Sequence, residues 1–300
     1  MLVTMLNAIW LTSLAFLDDK PDSAKAAAPP KPAAFNVEVS GTGQPMILIP
    51  GLTCGGNVWD GTVKRFKDRH QCHVVTIAGF AGQPAIGEPF LEKVRDALLA
   101  YIGEKKLERP VIVGHSLGGF LAFWLAATAP DRVGPVIAVD GVPFLAALFD
   151  PAADPKSGEP QAKTLRDLMA QQTAEQFASQ NRLFLQGMIT DSKDVEEVLK
   201  LSSKSDPKAV AQAFYELMTV DLREKVKAIR TPVLLLGATA SMDDASERKK
   251  AEDSYRAQVK AIPSCKVVFA AKARHFIQLD EPDFFFKEVD AFLTEARKAK

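Results

Sequence analysis

The chain has 300 residues, of which 47% are hydrophobic and 25% are charged, so its composition is that of an ordinary globular protein. Lysine and arginine together number 37, as do aspartate and glutamate, and this balance gives no net field that would attract nucleic acid or an anionic surface. Cys54, Cys72 and Cys265 lack zinc-ligand spacing and a C-x-x-C pair, so free thiols are expected rather than a metal centre or a disulfide framework. The alternative is a single disulfide between Cys54 and Cys72 in an oxidising compartment.

The first 34 residues differ in composition from the rest. Residues 2–17 form an apolar run without charge, too short for a comfortable membrane span, and residues 18–34 are rich in alanine and proline. An apolar run followed by small residues is typical of a secretory signal and linker, so we expect a periplasmic or secreted protein. Because no lysine or arginine precedes the run, two alternatives stay open: an uncleaved membrane anchor, or a helix packed on a cytoplasmic protein. This segment is excluded from the predicted fold.

From Phe35 onward, short apolar runs alternate with amphipathic stretches, which predicts βαβ units and a mostly parallel sheet flanked by helices. Strands are predicted at 36–40, 46–50, 72–78, 111–113, 133–139, 232–237 and 265–270. Helices of the same region are predicted at 58–69, 90–107, 117–129 and 282–298, together with one that ends at 262.

This alternation stops between Gly141 and Thr231, where the pattern is helical throughout, at 164–188, 195–201 and 207–218. The sequence therefore predicts an α/β core formed by residues 35–141 and 231–300, with a helical cap at 142–230 inserted between strands. A cap at this edge of the sheet is expected to act as a lid, the alternative being a peripheral helical unit with no role in access.

The most informative motif is Gly114-His115-Ser116-Leu117-Gly118, which lies between a predicted strand and a predicted helix. G-x-S-x-G in this context is typical of a nucleophile elbow, a strained turn that exposes the serine hydroxyl above the sheet. Small residues on both sides of Ser116 allow the chain to reverse sharply. Ser116 is therefore the candidate nucleophile.

A serine nucleophile needs a base, and the chain has four histidines. His115 lies within the elbow and is expected to point away from the hydroxyl. His70 and His73 lie at the start of an early strand, at the opposite end of a parallel sheet. His275 follows the last strand, which delivers it to the same edge as Ser116, so His275 is the predicted base.

The developing oxyanion needs backbone donors. The Leu117 N–H follows Ser116 at the start of a helix, and the glycine-containing loop at 50–59 offers the Leu52 N–H as the second donor.

The acid that orients His275 is less clearly marked. Asp243 or Asp244 in the loop after the strand at 232–237 is the preferred candidate, although both residues also suit the start of the next helix, where aspartate is favoured. Asp140, at the end of an earlier strand, is the second candidate, and it could instead brace its own turn.

These residues resemble the α/β-hydrolase superfamily, in the branch with a helical cap. The resemblance covers Phe35 to the C-terminus and rests on the GHSLGG elbow at 114–119, the Pro-Gly loop before Trp59, and the late His-Phe followed by Asp-Glu-Pro at 275–282. The order serine, aspartate, histidine also matches. Two features depart from the usual pattern of the superfamily. Pro50-Gly51 stands where His-Gly is frequent, and Asp243 lies farther from its strand than the acid usually does.

The resemblance and the motif together predict a serine hydrolase with a Ser-His-Asp triad that acts by an acyl-enzyme on a carboxylic ester or related acyl compound, needing no metal or cofactor. Amides, lactones, thioesters and carbon–carbon bonds stay open as substrates, since the fold does not settle the chemistry. A preference for apolar groups is predicted from the cap residues Phe177, Leu183, Phe184, Leu185 and Met188. The alternative function is non-catalytic binding of a small molecule on the same scaffold. The oligomeric state is not predicted.

Overall fold

The computed structural model describes residues 33–242 and 244–298. The strands are β1 (Phe35–Ser40), β2 (Gln44–Ile49), β3 (His70–Ile77), β4 (Val111–His115), β5 (Val136–Val139), β6 (Val233–Ala238) and β7 (Cys265–Ala270). They form one sheet in the order β1-β3-β2-β4-β5-β6-β7. Strand β1 is antiparallel to β3, and all the other neighbouring strands are parallel. The prediction of a mostly parallel α/β sheet is confirmed.

Ten α-helices are described: α1 (Asp60–Phe66), α2 (Phe90–Glu104), α3 (Leu117–Thr128), α4 (Pro155–Ala170), α5 (Ala174–Met188), α6 (Ser192–Ser202), α7 (Pro207–Thr219), α8 (Ala245–Val259), α9 (Ile277–Asp280) and α10 (Pro282–Lys298). Short 3-10 helices span Gly56–Trp59, Leu145–Leu148 and Lys225–Ala228.

Helices cover both faces of the sheet because the strands are apolar on both faces. In β2, Ile47 and Ile49 belong to one buried cluster, shared with α2 and α3, whereas Met46 and Leu48 belong to a second cluster, shared with α1 and α10. This division follows from the two-residue period of a strand. It is typical of parallel sheets, whose strands are buried on both sides.

The predicted helix at 164–188 is wrong in its bounds, because two helices occupy this region. Helix α4 begins earlier, at Pro155, where the Asp154 carboxylate accepts the Ser157 N–H and proline stands at the first helical position. Helix α5 begins after Thr173, whose hydroxyl accepts the Gln176 N–H while the Gln176 side chain accepts the Thr173 N–H. This reciprocal capping box starts a new helix.

The segment between β5 and β6, residues 142–230, contains α4 to α7 and is called the cap segment below. It is fixed to the core by Glu216 of α7, which is only 7% exposed. The Glu216 carboxylate accepts the backbone N–H groups of Phe90 and Leu91 at 2.7 and 2.6 Å. These groups lie in the first turn of α2, where N–H groups have no intrahelical acceptor and the helix dipole favours a negative charge.

The N-terminal prediction falls almost wholly outside the described residues. The apolar run at 2–17 is not described, so export stays a prediction. Within residues 33–242 and 244–298, no helix combines the length and hydropathy needed to cross a membrane. Cys54 and Cys72 are buried free thiols, and Cys265 is also free and half-buried.

Substitution of Glu216 by alanine is expected to lower the free energy of unfolding by about 3 kcal/mol, because it leaves two buried N–H groups without an acceptor. Urea denaturation measures the change. The matched control is Glu196→Ala, which removes an exposed carboxylate paired with Arg182 on the cap surface and should leave stability nearly unchanged. Equal effects of the two substitutions would contradict the anchoring role of Glu216.

Candidate active site

Ser116 stands at the junction of β4 and α3 in a strained backbone conformation, with φ 54° and ψ −115°. The turn requires glycine on both sides. A Cβ at Gly114 would lie 2.0 Å from the Gly118 carbonyl oxygen, and one at Gly118 would lie 2.1 Å from the Ile49 carbonyl oxygen. These are the backbone approaches that the G-x-S-x-G spacing predicts.

The end of β5 lies directly against this turn. The Ser116 N–H donates to the Val139 carbonyl oxygen at 2.8 Å, and a Cβ at Gly141 would lie only 2.4 Å from the Ser116 carbonyl oxygen. Between these two contacts stands Asp140, with φ 49°, a left-handed conformation that aspartate tolerates better than most residues. The carboxylate of Asp140 is therefore held beside the elbow.

Asp140 pairs with His275. The Asp140 Oδ2 atom lies 2.6 Å from His275 Nδ1, and the two side chains are 8% and 22% exposed. The Asp140 Oδ1 atom accepts the Ala238 N–H at the end of β6 and the Tyr255 hydroxyl of α8, each at 2.8 Å. With Nδ1 donating to a carboxylate, the Nε2 atom of a neutral His275 is an acceptor.

The preference for Asp244 as the partner of His275 is corrected by this arrangement. Asp244 is the exposed N-cap of α8, and its carboxylate accepts the Glu247 N–H at 2.8 Å. It does what aspartate commonly does at a helix start. Asp243 lies outside the described residues. Ala238 is the last residue of β6, one residue beyond the predicted end of this strand.

His115 contacts the candidate base. Its Nε2 atom lies 3.1 Å from the His275 carbonyl oxygen, and the two imidazole rings have centroids 4.7 Å apart. Burial, with a smaller contribution from His275, holds the pKa of His115 well below its ordinary value. A neutral His115 donates through Nε2, so it braces the backbone that carries His275. No sequence pattern indicates the contact between His115 and the His275 carbonyl oxygen.

His70 and His73 lie on β3, away from the elbow, as predicted. The His70 Nδ1 atom lies 3.1 Å from the Gln44 carbonyl oxygen, and His73 Nδ1 lies 2.8 Å from the Tyr101 hydroxyl. Burial lowers the pKa of both histidines. Both have structural partners at their own end of the sheet.

The loop that carries Leu52 lies against the elbow. A Cβ at Gly51 would lie 3.3 Å from the Ser116 Cβ atom, so Leu52 follows a residue in close contact with the candidate nucleophile. Leu117 is the first residue of α3, where N–H groups have no intrahelical acceptor. The two predicted oxyanion donors thus belong to segments that meet at Ser116.

The cap segment holds the same loop from the other side. The Ser205 hydroxyl donates to the Thr53 carbonyl oxygen at 2.9 Å, and Thr53 has a φ of 67°. Buried Asn181 of α5 lies 3.5 Å from the Thr53 hydroxyl and donates to Ser202 at 2.9 Å. The left-handed Thr53 is therefore braced by α5 and by the turn after α6.

The site shows no arrangement suited to a metal ion. In the described part of the chain, no group of three or more histidine, cysteine, aspartate or glutamate side chains is placed to hold one.

Known proteins resemble this chain in sequence and in fold. A family model described as "Alpha/beta hydrolase family" matches residues 46–288. A pimeloyl-[acyl-carrier protein] methyl ester esterase from Aliivibrio salmonicida is 27% identical over 268 residues, covering 85% of this chain and 94% of its own.

Solved structures share the fold at lower identity. A thermophilic esterase from Thermogutta terrifontis superposes with a TM-score of 0.72 at 20% identity, covering 87% of this chain and 93% of its own. The enol-lactonase from Burkholderia xenovorans LB400 superposes with a TM-score of 0.68 at 19% identity, covering 87% and 96%.

Substitution of Gly141 by alanine is expected to lower the free energy of unfolding by roughly 1–3 kcal/mol, because the new Cβ would force the end of β5 away from the elbow. Chemical denaturation tests this. Gly61→Ala is the matched control: a Cβ there meets nothing within 4 Å, and alanine favours helix α1. The close approach would be refuted if Gly141→Ala proved as harmless as Gly61→Ala.

Proposed function

The chain belongs to the alpha/beta hydrolase family, and we propose that it is a serine hydrolase that cleaves carboxylic esters through an acyl-enzyme. The observation that carries the proposal is the 2.6 Å contact between Asp140 and His275 at the edge of the sheet where Ser116 forms the elbow. An aspartate bound to Nδ1 fixes the tautomer in which Nε2 accepts a proton, as serine catalysis requires.

In the proposed mechanism, His275 Nε2 removes the proton from the Ser116 hydroxyl as its oxygen attacks the ester carbonyl. The N–H groups of Leu117 and Leu52 stabilise the oxyanion, aided by the positive end of the α3 dipole. His275 then protonates the leaving alcohol. Water, deprotonated by the same imidazole, attacks the acyl-enzyme and releases the acid and free Ser116.

Asp140 orients His275 and stabilises its protonated form. We assign it this role in preference to Asp244, whose carboxylate is bound at the start of α8. An acid placed unusually far from its strand, as Asp243 is, would favour the non-catalytic alternative. Asp140 directly follows β5, so its position does not favour that alternative.

The substrate is proposed to carry an apolar acyl or alcohol group. Leu185 and Met188 of the cap segment share a buried cluster with Phe276, next to the candidate base. Leu183 and Phe184, two further apolar residues of helix α5, are 56% and 39% exposed and therefore contribute less to a buried binding surface. We propose that the cap segment covers the site and selects the substrate in this way.

The bond is proposed to be a carboxylic ester because a relative aligned over 94% of its own length is named a methyl ester esterase. A panel of p-nitrophenyl esters of increasing acyl length, with methyl esters of mono- and dicarboxylic acids beside it, tests this. Hydrolysis of amides or thioesters in preference to all of these esters would overturn the choice of bond.

Ser116→Ala is expected to lower kcat/KM for a p-nitrophenyl ester by roughly 10⁴- to 10⁶-fold, with His275→Ala nearly as damaging and the double variant little worse than either. When two residues act as one unit, removal of the second has little further effect once the first has been removed. Steady-state kinetics of the three variants therefore measures the coupling between Ser116 and His275. The control is Ser203→Ala, which should retain activity because the Ser203 hydroxyl donates locally, to the Leu199 carbonyl oxygen of helix α6. Losses that multiply as independent factors would refute the pairing.

Asp140→Asn is expected to lower kcat by about three to four powers of ten, because an amide no longer fixes the His275 tautomer or stabilises its charge. Asp244→Asn is the matched control and should keep wild-type kinetics, since asparagine also caps a helix. Asp243→Asn is measured alongside. Full activity in Asp140→Asn, with loss in either loop variant, would contradict the assignment.

A further inference from the structure

The Asp140 carboxylate receives three hydrogen bonds, of which only one comes from His275. The Tyr255 hydroxyl donates to Oδ1 at 2.8 Å, beside the Ala238 N–H at the same distance. The two donors on Oδ1 leave Oδ2 to face His275 Nδ1. An ionised carboxylate only accepts, so both oxygens have donors suited to their charge.

Tyr255 reaches Asp140 from α8, 115 residues along the chain. Its side chain is buried, and its ring packs edge-to-face on Phe269 of β7 with centroids 5.7 Å apart. Gly237 of β6 makes room for this pair: a Cβ there would lie 2.5 Å from the Phe269 ring and 3.2 Å from Tyr255 Cε1. The ring is thus fixed by packing, which fixes the direction of its hydroxyl.

The Tyr255 hydroxyl keeps its proton under ordinary conditions. Burial, together with the negative charge and hydrogen bond of Asp140, raises the pKa of Tyr255 well above its usual value. The hydroxyl therefore serves as a donor throughout the pH range in which a histidine base operates.

We propose that Tyr255 is a positioning residue for catalysis: with the Ala238 N–H it holds Asp140 Oδ1, so that Oδ2 faces His275 and part of the carboxylate charge is drawn away from the imidazole. This inference rests on the proposed hydrolase function. It gives a role to a residue outside the triad and the oxyanion loop, because the Tyr255 hydroxyl controls the orientation and charge of the Asp140 carboxylate.

Removal of the hydroxyl has two consequences. The carboxylate loses one of the two donors that oppose its rotation, so a smaller fraction of molecules presents Oδ2 to His275. The remaining carboxylate charge also acts more strongly on the imidazole, which then holds its proton to higher pH. Because protonated His275 cannot accept the Ser116 proton, the acidic limb of the kcat/KM profile should move upward in pH.

The test compares Tyr255→Phe with Tyr101→Phe. Each removes one hydroxyl from a buried tyrosine, and the Tyr101 hydroxyl binds His73, on β3. Tyr255→Phe should lower kcat by about tenfold with KM unchanged, as expected for partial loss of a hydrogen bond to a charged group. It should shift the acidic limb upward by roughly half a pH unit, a fraction of what a full neighbouring charge exerts. Tyr101→Phe should leave both quantities unchanged.

A second comparison separates positioning from folding. In an Asp140→Asn background, Tyr255→Phe should add little further loss, because its target is already impaired. The proposal is overturned if the acidic limb of Tyr255→Phe coincides with those of wild type and Tyr101→Phe, or if the losses from Tyr255 and Asp140 multiply. Those outcomes leave the hydrolase assignment standing as long as Ser116→Ala is inactive, whereas an active Ser116→Ala overturns the assignment itself.

Discussion

The hydrogen bond from the Ser116 N–H to the Val139 carbonyl oxygen ties the elbow to the neighbouring strand, and the rest of the site is built around that contact. It brings the end of β5 so close to the elbow that residue 141 must be glycine, and it leaves Asp140 beside the candidate nucleophile. Asp140 therefore reaches this position without a long loop.

Four consecutive strands then complete the arrangement. Ser116 follows β4, Asp140 follows β5, Ala238 of β6 donates its N–H to the Asp140 carboxylate, and His275 follows β7. Because neighbouring parallel strands are held in register, the relative positions of these groups are set by backbone hydrogen bonds rather than by flexible side chains. Such preorganisation is what stabilisation of a transition state requires.

The cap segment is bound to the core at two points. Ser205 holds the Thr53 carbonyl oxygen on the loop next to the elbow, and Glu216 anchors α7 to the first turn of α2. A cap segment that swung away as one body would break both contacts and release the left-handed Thr53. The position of the cap segment and the conformation of the loop at Thr53 are therefore linked by the Ser205 hydrogen bond.

The strands, the elbow and the general position of His275 could be predicted from the sequence, because each depends on a local pattern or on the order of parallel strands. The aspartate that pairs with His275 could not be chosen in this way, since several loops end at the same edge of the sheet and only side-chain packing distinguishes them.

One sequence signal favours the observed pairing of His275 with Asp140. Asp244 is followed by Glu247 three positions later, a spacing typical of helix starts, and Asp140 directly follows the strand next to the elbow. Tyr255 and Asp140 are 115 residues apart in the sequence, and their contact needs the space that Gly237 leaves for the Tyr255 ring. No local sequence pattern indicates such a contact.

The central claim is that Asp140, His275 and Ser116 act as one unit, and the rate of phosphonylation by a fluorophosphonate probe tests it most directly. Intact-mass kinetics with peptide mapping should show one adduct on Ser116 of the wild-type protein. The reaction should slow by orders of magnitude in Asp140→Asn and proceed at the wild-type rate in Asp244→Asn. An adduct on another residue, or equal rates in wild type and Asp140→Asn, would contradict the account.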